Sequence, residues 1–264
     1  LTYSYTDSNG NEAASLNRTI NVVDNDAPII TLLGDSNLTH EAATSYIDLG
    51  AQWSDNVDGN GTADAIGTVD TNVPGTYTIN YSYSDSSDNA AQSVTRTIEV
   101  VDTTPPVITL LGDANGTHEA GTEYIDLGAT WTDTLDGTGN AQTNGTVEHQ
   151  VPGSYLLTYS HTDTNGNDAI QVSRTVNVLD TIAPVITLVG FAEINHEAGS
   201  QYVDAGAVWN DSVDGNGTAD ASGKVDSFVP GSYEINYSFT DSNGNSAQTL
   251  FRTILVVDTT PPVI

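Results

Sequence analysis

The chain has 264 residues with 35 acidic side chains against 5 basic ones, a formal net charge of −30 in a sequence where only 15% of residues are charged. Such a polyanion is repelled by nucleic-acid phosphates and by anionic membrane surfaces, which excludes both as partners of its own side chains. Yet 37% of residues are hydrophobic, enough for a folded core, and the absence of cysteine excludes disulfide staples and thiolate chemistry, which leaves metal ions as the candidate staple.

Leu1-Thr2-Tyr3-Ser4-Tyr5 alternates as a strand in mid-domain does, so the expectation is a stretch of a longer chain. From there one period governs the sequence. Trp53, Trp131 and Trp209 stand 78 residues apart, as do His40, His118 and His196, Pro74, Pro152 and Pro230, and Arg18, Arg96, Arg174 and Arg252. A fixed period without insertions is the mark of a tandem array. It predicts the C-terminal strands of a truncated repeat at 1–24, full repeats at 25–102, 103–180 and 181–258, and the start of another at 259–264. No apolar run approaches the roughly 18 residues of a membrane span.

Within a repeat the signals are strands and turns. Ile29 to Leu33 is a short apolar run after Pro28, and Thr76 to Tyr83 alternates with period two. The turn cluster Asp85-Ser86-Ser87-Asp88-Asn89 then leads to a closing strand at Val94 to Val101, a hairpin. Short strands, frequent turns and this repeat length predict an all-β fold of tandem immunoglobulin-like antiparallel sandwiches. Val73-Pro74-Gly75-Thr76-Tyr77 sits where such folds enter the next-to-last strand, which suggests a tyrosine corner.

The second repeat carries a resemblance: Pro106 to Gly112, His118 to Gly121, Tyr124 to Ala129, Trp131 to Asp133, Val151 to Tyr155, Arg174 to Val176, and the Asp-Thr-x-x-Pro linker at Asp180 to Pro184. These motifs resemble the bacterial Ig-like repeat of large cell-surface proteins, the type first noticed in a pesticidal crystal protein, and they run through every full repeat. The resemblance implies sandwiches in adhesins and extracellular arrays. It does not identify a function, because such repeats are spacers in unrelated proteins.

The aspartates fall in turns and linkers. Asp24 and Asp26 lie in the first linker, Asp55 and Asp58 in one loop, and Asp85 with Asn89 in the last hairpin; a sandwich topology brings these sets to one end. Ca2+ takes six to eight oxygen ligands of this kind from loops. Asp24-Asn25-Asp26-Ala27-Pro28 is similar to the calcium linker of cadherins, whereas the linkers at Asp102 and Asp180 lack the second aspartate. In a cadherin-like geometry Glu41 would reach the next junction and join Asp102, Asp133, Asp136, Asp163 and Asn167. Glu119 would likewise join Asp180, Asp211, Asp214, Asp241 and Asn245. The plainer reading makes these carboxylates turn and cap residues bonded to their own backbone. Charge favours cations: repeat 25–102 carries 12 acidic residues and one Arg, a net charge of −11 that repels itself. An acidic surface suited to high salt is the competing account.

Arg96, on the final strand beside Ile98 and Val100, and its counterparts need a partner if they are buried, and Asp48, Asp126 and Asp204, or Asp70, Glu148 and Asp226, stand at fixed repeat positions to provide it. Trp53 reads as sandwich core rather than a sugar platform, and one His40 per repeat lacks the ligand count of a zinc site. No catalytic constellation stands out, so no enzyme is expected. The sequence therefore predicts an extracellular, cell-surface stalk with calcium between its repeats, roughly 30 Å per repeat and on the order of 100 Å for three. Its partners would be the neighbouring repeats and a surface ligand bound elsewhere in the full chain. Lateral assembly with copies of itself into a filament or sheath, and carbohydrate binding, are the alternatives.

Overall fold

The computed structural model describes residues 1–262, so the last two residues of the expected repeat start at 259–264 lie outside the described ones. All regular structure among them is strand. Strands β1 (Thr2–Tyr3) and β2 (Leu16–Asn17) form an antiparallel hairpin. Seven strands follow: β3 (Ile29–Leu32), β4 (Asn37–Glu41), β5 (Ala51–Asp55), β6 (Gly59–Thr62), β7 (Asp64–Ile66), β8 (Gly75–Ser82) and β9 (Val94–Val101). The same seven recur 78 residues on as β10 (Val107–Leu110) to β16 (Val172–Leu179), and again as β17 (Val185–Leu188) to β23 (Leu250–Val257).

Each set makes one sheet of three strands, in the order β3-β5-β6, and one of four, in the order β4-β9-β8-β7. The expectation of purely antiparallel sheets needs one correction. β4 pairs parallel with β9, because the chain crosses from the smaller sheet to the larger at Gly34 to Ser36 without reversing against its new neighbour.

Strand alternation then makes the core. Ile79 and Tyr81 of β8 and Arg96, Ile98 and Val100 of β9 point inward, with Ile30, Ala51 and Trp53 facing them from the other sheet. Trp53 is 9% exposed. Its ring stacks on Tyr83 at 3.9 Å, and on its cross-strand neighbour Gly61 an added Cβ would come within 2.9 Å of the indole. Both ring faces are covered, so the indole is core and no sugar platform, as the composition of the repeat suggests. Trp131 on His161 and Trp209 on Phe239 repeat the stack. The tyrosine corner forms as well: Tyr77 donates its hydroxyl to the Val73 carbonyl at 2.8 Å, and Tyr155 and Tyr233 do the same to Val151 and Val229.

Of the two partner sets for the arginines, the structure chooses Asp48, Asp126 and Asp204. Arg96, 1% exposed, also donates to the carbonyls of Asp35, Leu33 and Gly50. Tyr81 donates to Asp48 Oδ2 at 2.6 Å. Burial alone would raise the Asp48 carboxyl, but the hydrogen bonds from Tyr81 and Arg96 outweigh it and hold the group below its ordinary value. Asp70 instead accepts the backbone N–H of Asn72 in a turn.

The chain packs as two compact units, Leu1–Thr104 with Asp133–Gly137, and Pro105–Thr132 with the residues from Thr138 on. The excursion Asp133–Gly137 joins the first unit through Leu135, which packs against the hydrophobic core of that unit. In the second unit Val213 occupies the corresponding place against Ala120, Val176 and Val178.

Candidate metal centre

Each of these apolar plugs is flanked by aspartates, and local backbone chemistry explains their orientation. Asp55 Oδ1 accepts the N–H groups of Val57 and Asp58 at 2.7 and 2.9 Å, an Asx turn that closes the loop. Asp133 and Asp211 close theirs identically. The turn uses Oδ1, and the Oδ2 atoms of Asp133 and Asp211 are buried without a hydrogen-bond donor. The plainer account of these residues thus describes one oxygen and leaves the second unexplained.

The hairpin aspartates are used more fully. Asp85 Oδ1 accepts from the backbone of Ser87 and Asn89, and Oδ2 from the Asn89 amide at 2.8 Å. Asp163 with Asn167 and Asp241 with Asn245 repeat the arrangement. Asn89 also donates to the Asp24 carbonyl at 3.2 Å, and Asn245 to that of Asp180 at 3.1 Å. These asparagines, expected as ligands, tie the hairpin to the linker as donors.

Three triads result: Asp24, Asp58 and Asp85; Asp102, Asp133 and Asp136; and Asp180, Asp214 and Asp241, with one oxygen of each residue within 4.8 Å of the others. Asp26, singled out in the sequence as the second linker carboxylate, lies outside its triad. It is exposed and accepts the Asn56 amide at 2.8 Å. Glu41 and Glu119 also stand apart from the triads. Glu41 takes the Thr103 N–H and hydroxyl at 2.9 and 2.7 Å and the Thr104 hydroxyl at 2.7 Å, and these bonds, Thr104 first, lower its pKa. Glu119 grips Thr181 in the same way, and so does Glu197, the third recurrence of this glutamate in the sequence, at Thr259. The glutamates therefore fasten the linker to the repeat before it. The threonines that follow Asp102, Asp180 and Asp258 carry the signal for this, since Ser and Thr are donors that suit a carboxylate.

The triad oxygens bear on whether an ion fits. Asp24 Oδ2, Asp133 Oδ2, both oxygens of Asp180, Asp211 Oδ2 and Asp214 Oδ2 are buried with no hydrogen-bond donor. An ionised carboxylate held so costs several kcal/mol unless a cation answers it. Asp180, 6% exposed, is raised above the usual carboxylate range by burial and then by the charges of Asp211 and Asp241. A donor set made only of oxygens suits a hard cation of the Ca2+ type and gives nothing to a soft one. His40 takes no part. Its Nε2 lies 3.1 Å from the Thr44 hydroxyl and its ring meets Tyr46 edge-on at 5.2 Å, a turn contact.

Comparison with known proteins gives three findings. The sequence model described as "Bacterial surface protein, Ig-like domain" matches residues 30–100, 108–178 and 186–256. Hyalin of the sea urchin Lytechinus variegatus is 30% identical over 287 residues, covering 100% of this chain and 53% of its own length, and hyalin of Strongylocentrotus purpuratus is 29% identical over 286 residues, covering 100% and 24%. The chain thus spans about half and about a quarter of these curated relatives. Among solved structures, mouse cadherin-23 EC22–24 is 13% identical with a TM-score of 0.30, covering 89% of this chain and 100% of that one, too loose a superposition to argue from.

Proposed function

Given that the chain belongs to the bacterial surface Ig-like domain family, we propose that it is a non-catalytic extracellular spacer of a surface adhesion protein whose junctions are fixed by calcium. The observation that supports this reading is the set of buried carboxylate oxygens without donors at Asp24, at Asp133 and, above all, at Asp180 and Asp211. A junction then has two fastenings. Glu119 holds Thr181 from the repeat before, and Val213 plugs against that repeat's core. A calcium ion taken by Asp180 together with Asp211, Asp214 and Asp241 would bind the linker to the repeat after it. The ion supplies the positive charge that the chain lacks, and without it the carboxylates repel and the linker is held from one side only. Asp24 with Asp58 and Asp85, and Asp102 with Asp133 and Asp136, would hold the ions of the other junctions.

Calcium titration of the chain by calorimetry and small-angle scattering, with magnesium and sodium chloride as controls, tests this. The expected result is saturable uptake with stiffening that salt does not reproduce. Equal effects from salt, or no effect of calcium, would reduce the triads to acidic surface. A second reading has one observation in its favour: Ile47 and Leu49, and Ile125 and Leu127, are exposed at equivalent repeat positions, as is Val203. Recurrent apolar spots of this kind suit lateral association of copies into an extracellular filament. Sedimentation across a concentration series checks it, with Ile47→Asn and Ile125→Asn expected to abolish any association.

A further inference from the structure

We propose that the junction sites are unequal, and that the site of Asp180, Asp211, Asp214 and Asp241 binds calcium about tenfold or more tightly than the site of Asp24, Asp58 and Asp85, a difference worth one charge-assisted hydrogen bond. The inference rests on the calcium reading above.

The two sites share their framework and differ in what already occupies their oxygens. At the first, Ser86 faces Asp58: its N–H donates to Oδ2 at 2.9 Å and its hydroxyl to Oδ1 at 2.9 Å. Asp24 Oδ1 accepts the Asp26 N–H at 3.1 Å, and Asp24 Oδ2 is the buried oxygen there without a donor among the described residues. The last site carries a serine at the same repeat position, but the Ser242 hydroxyl donates to Asn243 Oδ1 at 3.0 Å and leaves Asp214. Asp214 Oδ2, Asp211 Oδ2 and both oxygens of Asp180 are then buried without a donor. Asp180 and Asp211 are 6% and 7% exposed.

An ion entering the first site competes with the hydrogen bonds from Ser86 that already draw on both oxygens of Asp58. An ion entering the last meets no side-chain donor on these four oxygens, only the weak pull of the Ile182 N–H on Asp180, and relieves their mutual repulsion. Sequence points the other way. The first site has the extra carboxylate Asp26 and the amide of Asn56, where the last has Ile182 and Ser212. Asp26 and Asn56 bond each other at the exposed rim, so they add charge near the site and leave its buried oxygens as they are. As calcium falls, the first junction would therefore let go before the last, which grades the loosening of the array.

The test is isothermal calorimetry of the 264-residue chain with calcium alone as the ligand, for the parent and for Asp58→Asn, Asp214→Asn, Ser86→Ala and Ser242→Ala. Circular dichroism confirms that each variant folds. Asp214→Asn is expected to remove the tightest phase, and Asp58→Asn to leave it intact. Ser86→Ala, a change at an exposed side chain that spares the fold, removes the hydroxyl bonds to Asp58 but keeps the N–H bond to Oδ2, and is expected to tighten the first site several-fold by freeing Asp58 Oδ1, whereas Ser242→Ala changes nothing. Loss of the tightest phase in Asp58→Asn, one class of equal sites, or no effect of Ser86→Ala overturns the inference while leaving calcium binding in place. No calcium-specific heat in the parent chain overturns both.

Discussion

Two sets of carboxylates in the last repeat are handled in opposite ways. Asp204 is given its counter-charge by the chain: Arg252, fully buried, pairs with it, and Tyr237 donates to it at 2.6 Å. Burial works against the charge of Asp204, yet those bonds keep its pKa below the ordinary value. Asp180 is given no cation, and burial with its neighbours Asp211 and Asp241 drives its pKa upward. The contrast teaches that burial does not decide the state of a carboxylate; its partner does. Beside an arginine the carboxylate is held in its charged form, and beside other carboxylates it is pushed toward the neutral one.

Removing the arginine should make the first set resemble the second, with the largest effect. Arg252→Met strands Asp204 and the carbonyls of Val189 and Phe191, and should cost about 3–5 kcal/mol. In scanning calorimetry the transition of that repeat should fall by roughly 15 °C or more. Calcium at about a hundredfold over its dissociation constant should stabilise by about 2.7 kcal/mol per site, and a chelator should reverse this without touching the arginine pairs. A chelator-insensitive melting temperature contradicts that expectation.

Acid separates the two sets by sign. Asp48 and Asp204 have lowered pKa values, so the unfolded chain binds more protons than the folded one below about pH 4, and stability falls as pH drops through that window. Asp180 is raised, so in calcium-free solution its contribution runs the other way, with stability falling as pH rises from the unfolded value to the folded one. Denaturant midpoints measured from pH 3 to 7, with and without calcium, check both slopes. The smallest effect comes from a buried oxygen that no cation is placed to answer. Asn236 Oδ1 lacks a donor where its first-repeat counterpart Asn80 accepts the Thr95 hydroxyl at 2.7 Å, because Phe251 stands in the place of that threonine. Phe251→Thr should stabilise by about 1 kcal/mol, equally with and without calcium.

Much of this architecture was legible in the sequence. The 78-residue period, the inward alternation of Thr76 to Tyr83, the covered Trp53 and the corner formed by Tyr77 all follow from spacing and residue type. The arginine partner was not fully legible, since Asp48 and Asp70 both recur with the period and only the tertiary packing places one beside Arg96. The candidate metal centre was legible as a set of loops and less so as a set of oxygens. Adjacency in sequence put Asp26 with Asp24, but the turn at Asp24 sends Asp26 outward to Asn56. Reach put Glu41 at the linker, but the hydroxyls of Thr103 and Thr104 take its carboxylate first. Which oxygen of an aspartate is already bonded depends on rotamers, and no repeat pattern encodes that.

The central claim is that the donor-free oxygens of Asp180, Asp211 and Asp214 exist to hold an ion. A crystal structure of the chain grown in calcium, with anomalous difference density, tests it most directly. The account predicts a peak bonded to both Asp180 and Asp214 at about 2.3–2.6 Å. Density for water alone between these carboxylates at saturating calcium, or an Asp180 side chain turned out to solvent, would contradict it.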